Sequence, residues 1–353
     1  MKSFDLSLMD LMFEDMSKQK EVYRPTTFWE EGSKVIVKEI KEQGVENFRS
    51  LKTTRGFFVP NYSYSEYYEN ENLYNETKVE LKKATSDAKS NTRFDFLLSG
   101  KLQAFSDYRV LKGSNIESSP YTSKVSESNV GQPLEQFNFD NRNFSRSFLN
   151  YLLGLNFLKK HVDSSTIKNV MEIGGGFGTL GEILLGDERN DIFYINADIP
   201  PVSFVSSYYL KEVFGKENIA DYGDLHKEEV LEIDKLKQSY KAVNLCSWQI
   251  EKLKGKIDLF VNFISFQEME PDVVNNYCKY IRDLAPQFIL LRNIQEGKKK
   301  RDEDTIYGVE TPILGDDYDS FLPEYELKAN DSEIFGFKTE DNFHSQLRLY
   351  VRK

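Results

Sequence analysis

The chain has 353 residues, enough to bury a full core as one large domain or two medium ones. A formal charge of −11 argues against a nucleic-acid partner, because a phosphate backbone asks for concentrated Lys and Arg. Two isolated cysteines, three histidines without ligand spacing and no apolar run of about 18 residues argue against a disulfide framework, a structural zinc and a transmembrane segment, and the expected location is cytoplasmic.

In chain order, residues 1–140 show no regular α/β alternation and read as a mostly helical cap for substrate or oligomer contacts. Whether the chain forms a homo-oligomer stays open. Residues 33–43 and 95–104 have helical patterns, 62–79 is aromatic and acidic without a clean period, and 114–143 is polar and loop-like. The 20 Tyr and 26 Phe suit a core rich in rings and a pocket for the face of a carbohydrate.

Residues 141–353 read as a second region, led by a helical stripe of Phe144, Phe148, Leu152, Leu155 and Leu158. Residues 170–173 then form a short apolar strand, and Gly174, Gly176 and Gly178 follow at spacing two, ahead of an apolar helix. Such a turn lets a backbone pass close to a ligand with free N–H groups facing it. Residues 192–197 read as the next strand, closed by Asp198, 20 positions after Gly178. An acid there is where an open α/β fold reaches a ribose. A dinucleotide fold spaces its last glycine three positions on rather than two, and a purely structural glycine turn is the other alternative.

The alternation continues with a helix at 202–214 after Pro200 and Pro201, strands at 242–246 and 257–262, a helix at 271–284 opened by Pro271, and a strand at 287–292. Residues 293–330 are too long and polar for an ordinary connection and read as a lid or substrate insertion. Residues 335–339 and 346–351 read as two closing strands. Strands separated by helices in this order predict an α/β three-layer Rossmann-like sandwich around a mainly parallel sheet.

The string from Glu172 to Gly178, with its acid ahead of the glycines, resembles the first motif of class I S-adenosylmethionine-dependent methyltransferases. A narrower likeness rests on Asn196-Ala197-Asp198-Ile199-Pro200-Pro201, Tyr208-Tyr209-Leu210 and Ser265-Phe266-Gln267-Glu268-Met269, with Asn143 and Ser147 upstream. Together these are similar to the bacterial sugar O-methyltransferases associated with O-antigen and other surface glycans. The resemblance implies a seven-stranded class I sheet with an antiparallel closing strand. It also implies S-adenosyl-L-methionine as cofactor and a nucleotide- or lipid-linked carbohydrate acceptor. Asn196 departs from the pattern, since relatives often place an apolar residue there.

Under that reading Gly174, Gly176 and Gly178 form the cofactor turn, and the Asp198 carboxylate accepts hydrogen bonds from a ribose diol. Glu172 orients the turn or the methionine amino group. Ser247 and Trp248 follow the third strand, where a side chain meets an adenine. Asn262 is a polar residue ending the apolar run 259–261, which suggests a partner at the cofactor. Methylating a hydroxyl asks for alignment and for a base to take the proton. Glu268 after the fourth strand and His344 between the closing strands are the two candidates. Gln267, Arg292 and Asn293 are candidates for holding the acceptor. The basic run 298–301 and the acids at 302–304 and 316–319 read as solvated loops, with no metal cluster among them. A non-sugar small-molecule hydroxyl and a non-catalytic scaffold remain as rival readings.

Overall fold

The computed structural model describes residues 6–84, 88–302, 308–334 and 342–353. Its main sheet has eight strands: β1 (Asn169–Ile173), β2 (Phe193–Asp198), β3 (Ile219–Ala220), β4 (Ala242–Cys246), β5 (Leu259–Phe263), β6 (Phe288–Ile294), β7 (Tyr325–Asp331) and β8 (Ser345–Arg352). The order across the sheet is β7-β8-β6-β5-β1-β2-β4-β3. β8 runs antiparallel to both its neighbours, and the remaining pairings are parallel. This is the expected α/β Rossmann-like sandwich around a mainly parallel sheet, with one short strand, β3, beyond the seven expected.

The central strands explain the layering. β4 and β5 are buried at every position, so both faces of the sheet are covered. Strands buried on both faces read as continuous apolar runs, which is how these segments read in the sequence. The chain moves from β1 to β2 on one side and later places β5 on the other. Strand order therefore reverses at β1, and the carboxyl ends of β1, β2 and β5 border a crevice there. The connecting helices Val202–Phe214 and Pro271–Leu284 match the expected bounds. Pro271 supplies the preset first turn of the second, and Ala285 ends it in the left-handed region.

The stretches 62–79, 95–104 and 293–330 depart from expectation. The first closing strand is β7 at 325–331, while the expected 335–339 lies outside the described residues. β7 is an edge strand with most of its side chains exposed, so it lacks the alternation that marks a half-buried strand. The stretch 293–330 accordingly contains the end of β6, a short helical turn at 315–321 and most of β7. Toward the N-terminus, 62–79 is largely helical (Ser65–Glu69 and Glu71–Lys83), and the single helix expected at 95–104 is two, Ala88–Leu98 and Lys101–Gly113. Gly100, at φ 73°, makes the break between them.

Further helices at Ser7–Ser17, Thr27–Gln43 and Lys52–Phe57 precede these. Their buried side chains, among them Met9, Met12, Ile36 and Ile40, belong to the same continuous apolar core as the sheet. Among the described residues, no helix is long and apolar enough to cross a membrane.

Candidate active site

The glycine turn leaves β1 and closes the floor of a cleft. Gly174 adopts φ 68° and Gly176 φ 58°, a region that side chains other than glycine rarely enter. A Cβ at Gly174 would lie 2.1 Å from Ser265 Oγ, so this position has no room for one. Gly176 faces open space, with only the Phe58 carbonyl at 4.0 Å from an added Cβ. Gly178, at φ 98°, caps the following helix and lies outside the lining of the cleft.

Asp198 ends β2 and lines the cleft beside Gly174 and Gly176. Its carboxylate accepts from the N–H of Gly176 (3.2 Å) and of Ile199 (2.8 Å). Burial pushes the group up to about 8 against the pull of those two donors. Ser247, after β4, lines the same cleft, whereas Trp248 turns away and packs edge-on against Tyr222.

Glu172 sits behind the turn rather than in the cleft. It is fully buried and accepts hydrogen bonds from Tyr151 Oη (2.6 Å) and Tyr194 Oη (2.5 Å). Burial raises it to about 7, and the two hydroxyls hold it back. Its reach into the site runs through Tyr151, whose ring stacks on Phe263 at 4.7 Å, both rings lining the cleft.

Asn262 finds its partners within the protein. Its Nδ2 donates to the Ile173 carbonyl (2.9 Å) and to Ser265 Oγ (2.6 Å), and its Oδ1 accepts from Phe266 N–H and Asn293 Nδ2. Asn293 Oδ1 accepts in turn from the Gln267 N–H, and Gln267 Oε1 from the Ile294 N–H. Asn262, Gln267 and Asn293 thus bolt the 265–268 turn to β1 and β6, and none of them lines the cleft. Ile264 leads into this turn at φ 74°, ψ −35°. For a β-branched residue that backbone costs on the order of 1–3 kcal/mol, held here by the surrounding bonds.

Glu268, at the end of the turn, does line the cleft. One oxygen accepts from Trp29 Nε1 (3.0 Å) and the other from Lys298 Nζ (2.9 Å). Lys298 therefore folds inward, with its side chain 18% exposed, contrary to the solvated loop expected for 298–301. His344 lies outside the cleft lining, its Nδ1 bonded to Glu296. Arg292, at the end of β6, reaches the cleft, donates to Ser345 Oγ (2.9 Å) and is lowered to about 10 by burial. Asp316 and Asp319 both pair with Arg348.

The opposite wall comes from residues that the sequence patterns did not single out. Thr26, Trp29, Arg55, Phe57, Phe58 and Pro60 line it, joined by Ser147, Asn150 and Tyr277. They meet only through tertiary packing, and no local spacing marks them. Ser147, two residues after the helix N-cap Ser145, was the one reached by resemblance.

No protein-family model and no curated protein matches the chain. Among solved structures it is similar to mitomycin 7-O-methyltransferase MmcR (11% identity, TM-score 0.35, covering 58% of this chain and 57% of that one). It is also similar to the PH0226 protein from Pyrococcus horikoshii OT3 (13% identity, TM-score 0.39, 59% and 92%). A third is magnesium protoporphyrin IX methyltransferase from Synechocystis PCC 6803 with bound SAH (13% identity, TM-score 0.39, 75% and 100%). The chain thus spans little more than half the length of the first of these and the whole of the third.

Proposed function

We propose that the chain is an S-adenosylmethionine-dependent O-methyltransferase acting on a sugar hydroxyl in bacterial surface-glycan synthesis. One observation carries the methyltransferase reading: Gly174, Gly176 and the Asp198 carboxylate open on one cleft at the strand-order switch, with the carboxylate of Glu268 in the same cleft. The open backbone at Gly176 and the acid ending β2 suit a nucleoside with a diol and a cationic end. Gly174, Gly176, Asp198 and Ser247 would hold S-adenosylmethionine, which supplies the methyl group when bound.

The protein's own work is alignment and proton removal. The 265–268 turn, pinned by Asn262 and Asn293, fixes Glu268 at the cleft. Trp29 and Lys298 each occupy one lone pair of its carboxylate, leaving others to accept the acceptor's hydroxyl proton. Lys298 holds that carboxylate in place. Arg292 faces the acceptor from β6.

The sugar acceptor, nucleotide- or lipid-linked, is supported by the motif likeness. The ring-rich wall of Trp29, Phe57, Phe58 and Phe263 favours, as a second reading, a non-sugar acceptor with an apolar face. Incubation with methyl-labelled cofactor and a panel of nucleotide-linked sugars, lipid-linked sugars and phenols separates the two. Label in a sugar product supports the first reading, and label only in phenols replaces it with the second. Calorimetry that detects NADH but not S-adenosylhomocysteine overturns both.

A further inference from the structure

Arg55 is the anomaly of the cleft. It lies on the Lys52–Phe57 helix and lines the cleft, yet its side chain is only 3% exposed. Its Nε and Nη1 are buried with no hydrogen-bond partner. Among the described residues, the sole carboxylate paired with it is Glu69, at 3.6 Å, and Glu69 is held more closely by Lys52 at 2.6 Å. Glu135 nearby is already taken by the Tyr62 and Ser63 N–H groups and the Tyr68 hydroxyl. The Tyr68 ring, 5.6 Å from the guanidinium, offers a π face but no acceptor. A guanidinium taken out of water asks for an anion that matches its fork of donors, and this one has unused donors beside a ligand cleft.

The cap segment that carries Arg55 also lies over the glycine turn. Arg55, Gly56, Phe57 and Phe58 all line the cleft, and the Phe58 carbonyl comes within 4.0 Å of an added Cβ at Gly176. We propose that Arg55 binds a carboxylate in this cleft, the one at the amino-acid end of S-adenosylmethionine, so that the N-terminal cap completes the cofactor site. This rests on the methyltransferase reading above. It makes Arg55 a binding residue supplied from outside the sandwich. An acidic acceptor is the other source of such a carboxylate, and the position over the glycine turn favours the cofactor.

The test is a cycle measured by calorimetry on the full chain. Wild type and Arg55→Gln are each titrated with S-adenosylhomocysteine and with 5′-methylthioadenosine, which keeps the nucleoside and lacks the carboxylate. Arg55→Gln is expected to weaken S-adenosylhomocysteine about 10–100-fold and to leave 5′-methylthioadenosine unchanged. Equal loss for both ligands, or no loss for either, overturns the assignment. No loss for S-adenosylhomocysteine together with a raised KM for an acidic acceptor assigns the carboxylate to the acceptor instead. If Arg55→Gln does not fold, wild type alone still decides: decarboxylated S-adenosylhomocysteine binding as tightly as the parent sinks the proposal. A wild-type protein that binds no S-adenosyl ligand at all sinks the methyltransferase reading itself, an outcome distinct from the others.

Discussion

The two walls of the cleft are built on different physics. The sandwich wall presents backbone and short polar side chains at the ends of parallel strands: Gly174, Gly176, Asp198 and Ser247. The cap wall presents rings and a guanidinium from helices and loops: Trp29, Arg55, Phe57 and Phe58. On the first wall a single methyl group has no room at Gly174. On the second, Gly56 has nothing within 4 Å of an added Cβ. The sandwich wall is thus tight at Gly174 and open at Gly176, and the cap wall has space at Gly56. Position in the sheet specifies the first, and packing between distant segments specifies the second.

The largest effect is expected where the walls meet. Glu268 belongs to the sandwich and accepts a hydrogen bond from Trp29 of the cap. Glu268→Gln should lower turnover by roughly 10²–10⁴-fold while S-adenosylhomocysteine affinity stays near wild type, because the amide keeps the shape and cannot take the proton. His344→Gln should do much less, since that ring pairs with Glu296 outside the cleft lining. Turnover that survives Glu268→Gln and collapses in His344→Gln would move the base to the closing strands.

A paired substitution tests the contrast between the walls directly. Gly174→Ala forces a methyl against Ser265 Oγ in a backbone region that disfavours it, and should cost about 2–5 kcal/mol from overpacking and strain together. Gly56→Ala, in a helix with open space around it, should be neutral or stabilising by up to about 1 kcal/mol. Denaturant melts of the two variants give both numbers. Equal losses would mean that the cap wall is as tightly specified as the sandwich wall.

This contrast also explains what the sequence disclosed. β1, β2, β4 and the helices at 202–214 and 271–284 were legible because buried parallel strands and capped helices leave apolar runs and punctuation. The glycine turn and Asp198 were legible because their geometry depends on near neighbours in the chain. β7 was not, being an exposed edge strand whose pairing with β8 is set from outside. Asn262, Gln267 and Asn293 drew notice as polar residues at strand ends, but residue type could not tell a ligand contact from a bolt between turns. Lys298 read as one of a solvated cluster, and only the fold brings it to Glu268. Trp29 and Arg55 carry no local signal, because Trp29 meets Glu268 from 239 positions away and Arg55 joins the cleft only in the fold.

A smaller effect is expected at the ribose end. Asp198→Ala should weaken S-adenosylhomocysteine by about 1.5–3 kcal/mol, the range for hydrogen bonds to a charged partner. The pH dependence follows from burial, which pushes Asp198 up to about 8. Below that pH the unliganded carboxyl holds a proton that must leave before the ionised group can accept from a diol. Affinity should therefore rise with pH and level off above about 8, as read by calorimetry across pH 6–9, roughly a unit or two either side. Asp198→Asn should flatten the profile. A profile that keeps its slope in that variant would assign the titration to another group.

The last effect concerns the pH dependence of stability and belongs to the sandwich. Glu172 is buried behind the glycine turn, with its folded-state pKa raised from 4.5 to about 7. Between those values the folded protein keeps a proton that the unfolded chain has released. Stability from this group is therefore complete below about 4.5 and declines as pH rises through about 7, with a slope of at most ~1.4 kcal/mol per pH unit. Glu182, buried and raised to about 7 as well, contributes a slope of the same sign. Glu172→Gln keeps the shape and can still accept from one tyrosine hydroxyl while donating to the other, so it removes the titration without emptying the pocket. Thermal melts between pH 4.5 and 7 should then show the variant losing less Tm with rising pH than wild type, with the raised carboxyls of Glu182 and Asp198 contributing to what slope remains. Parallel curves for the two proteins would mean that Glu172 is already ionised in the fold, its charge stabilised by the two tyrosine donors more strongly than burial opposes it.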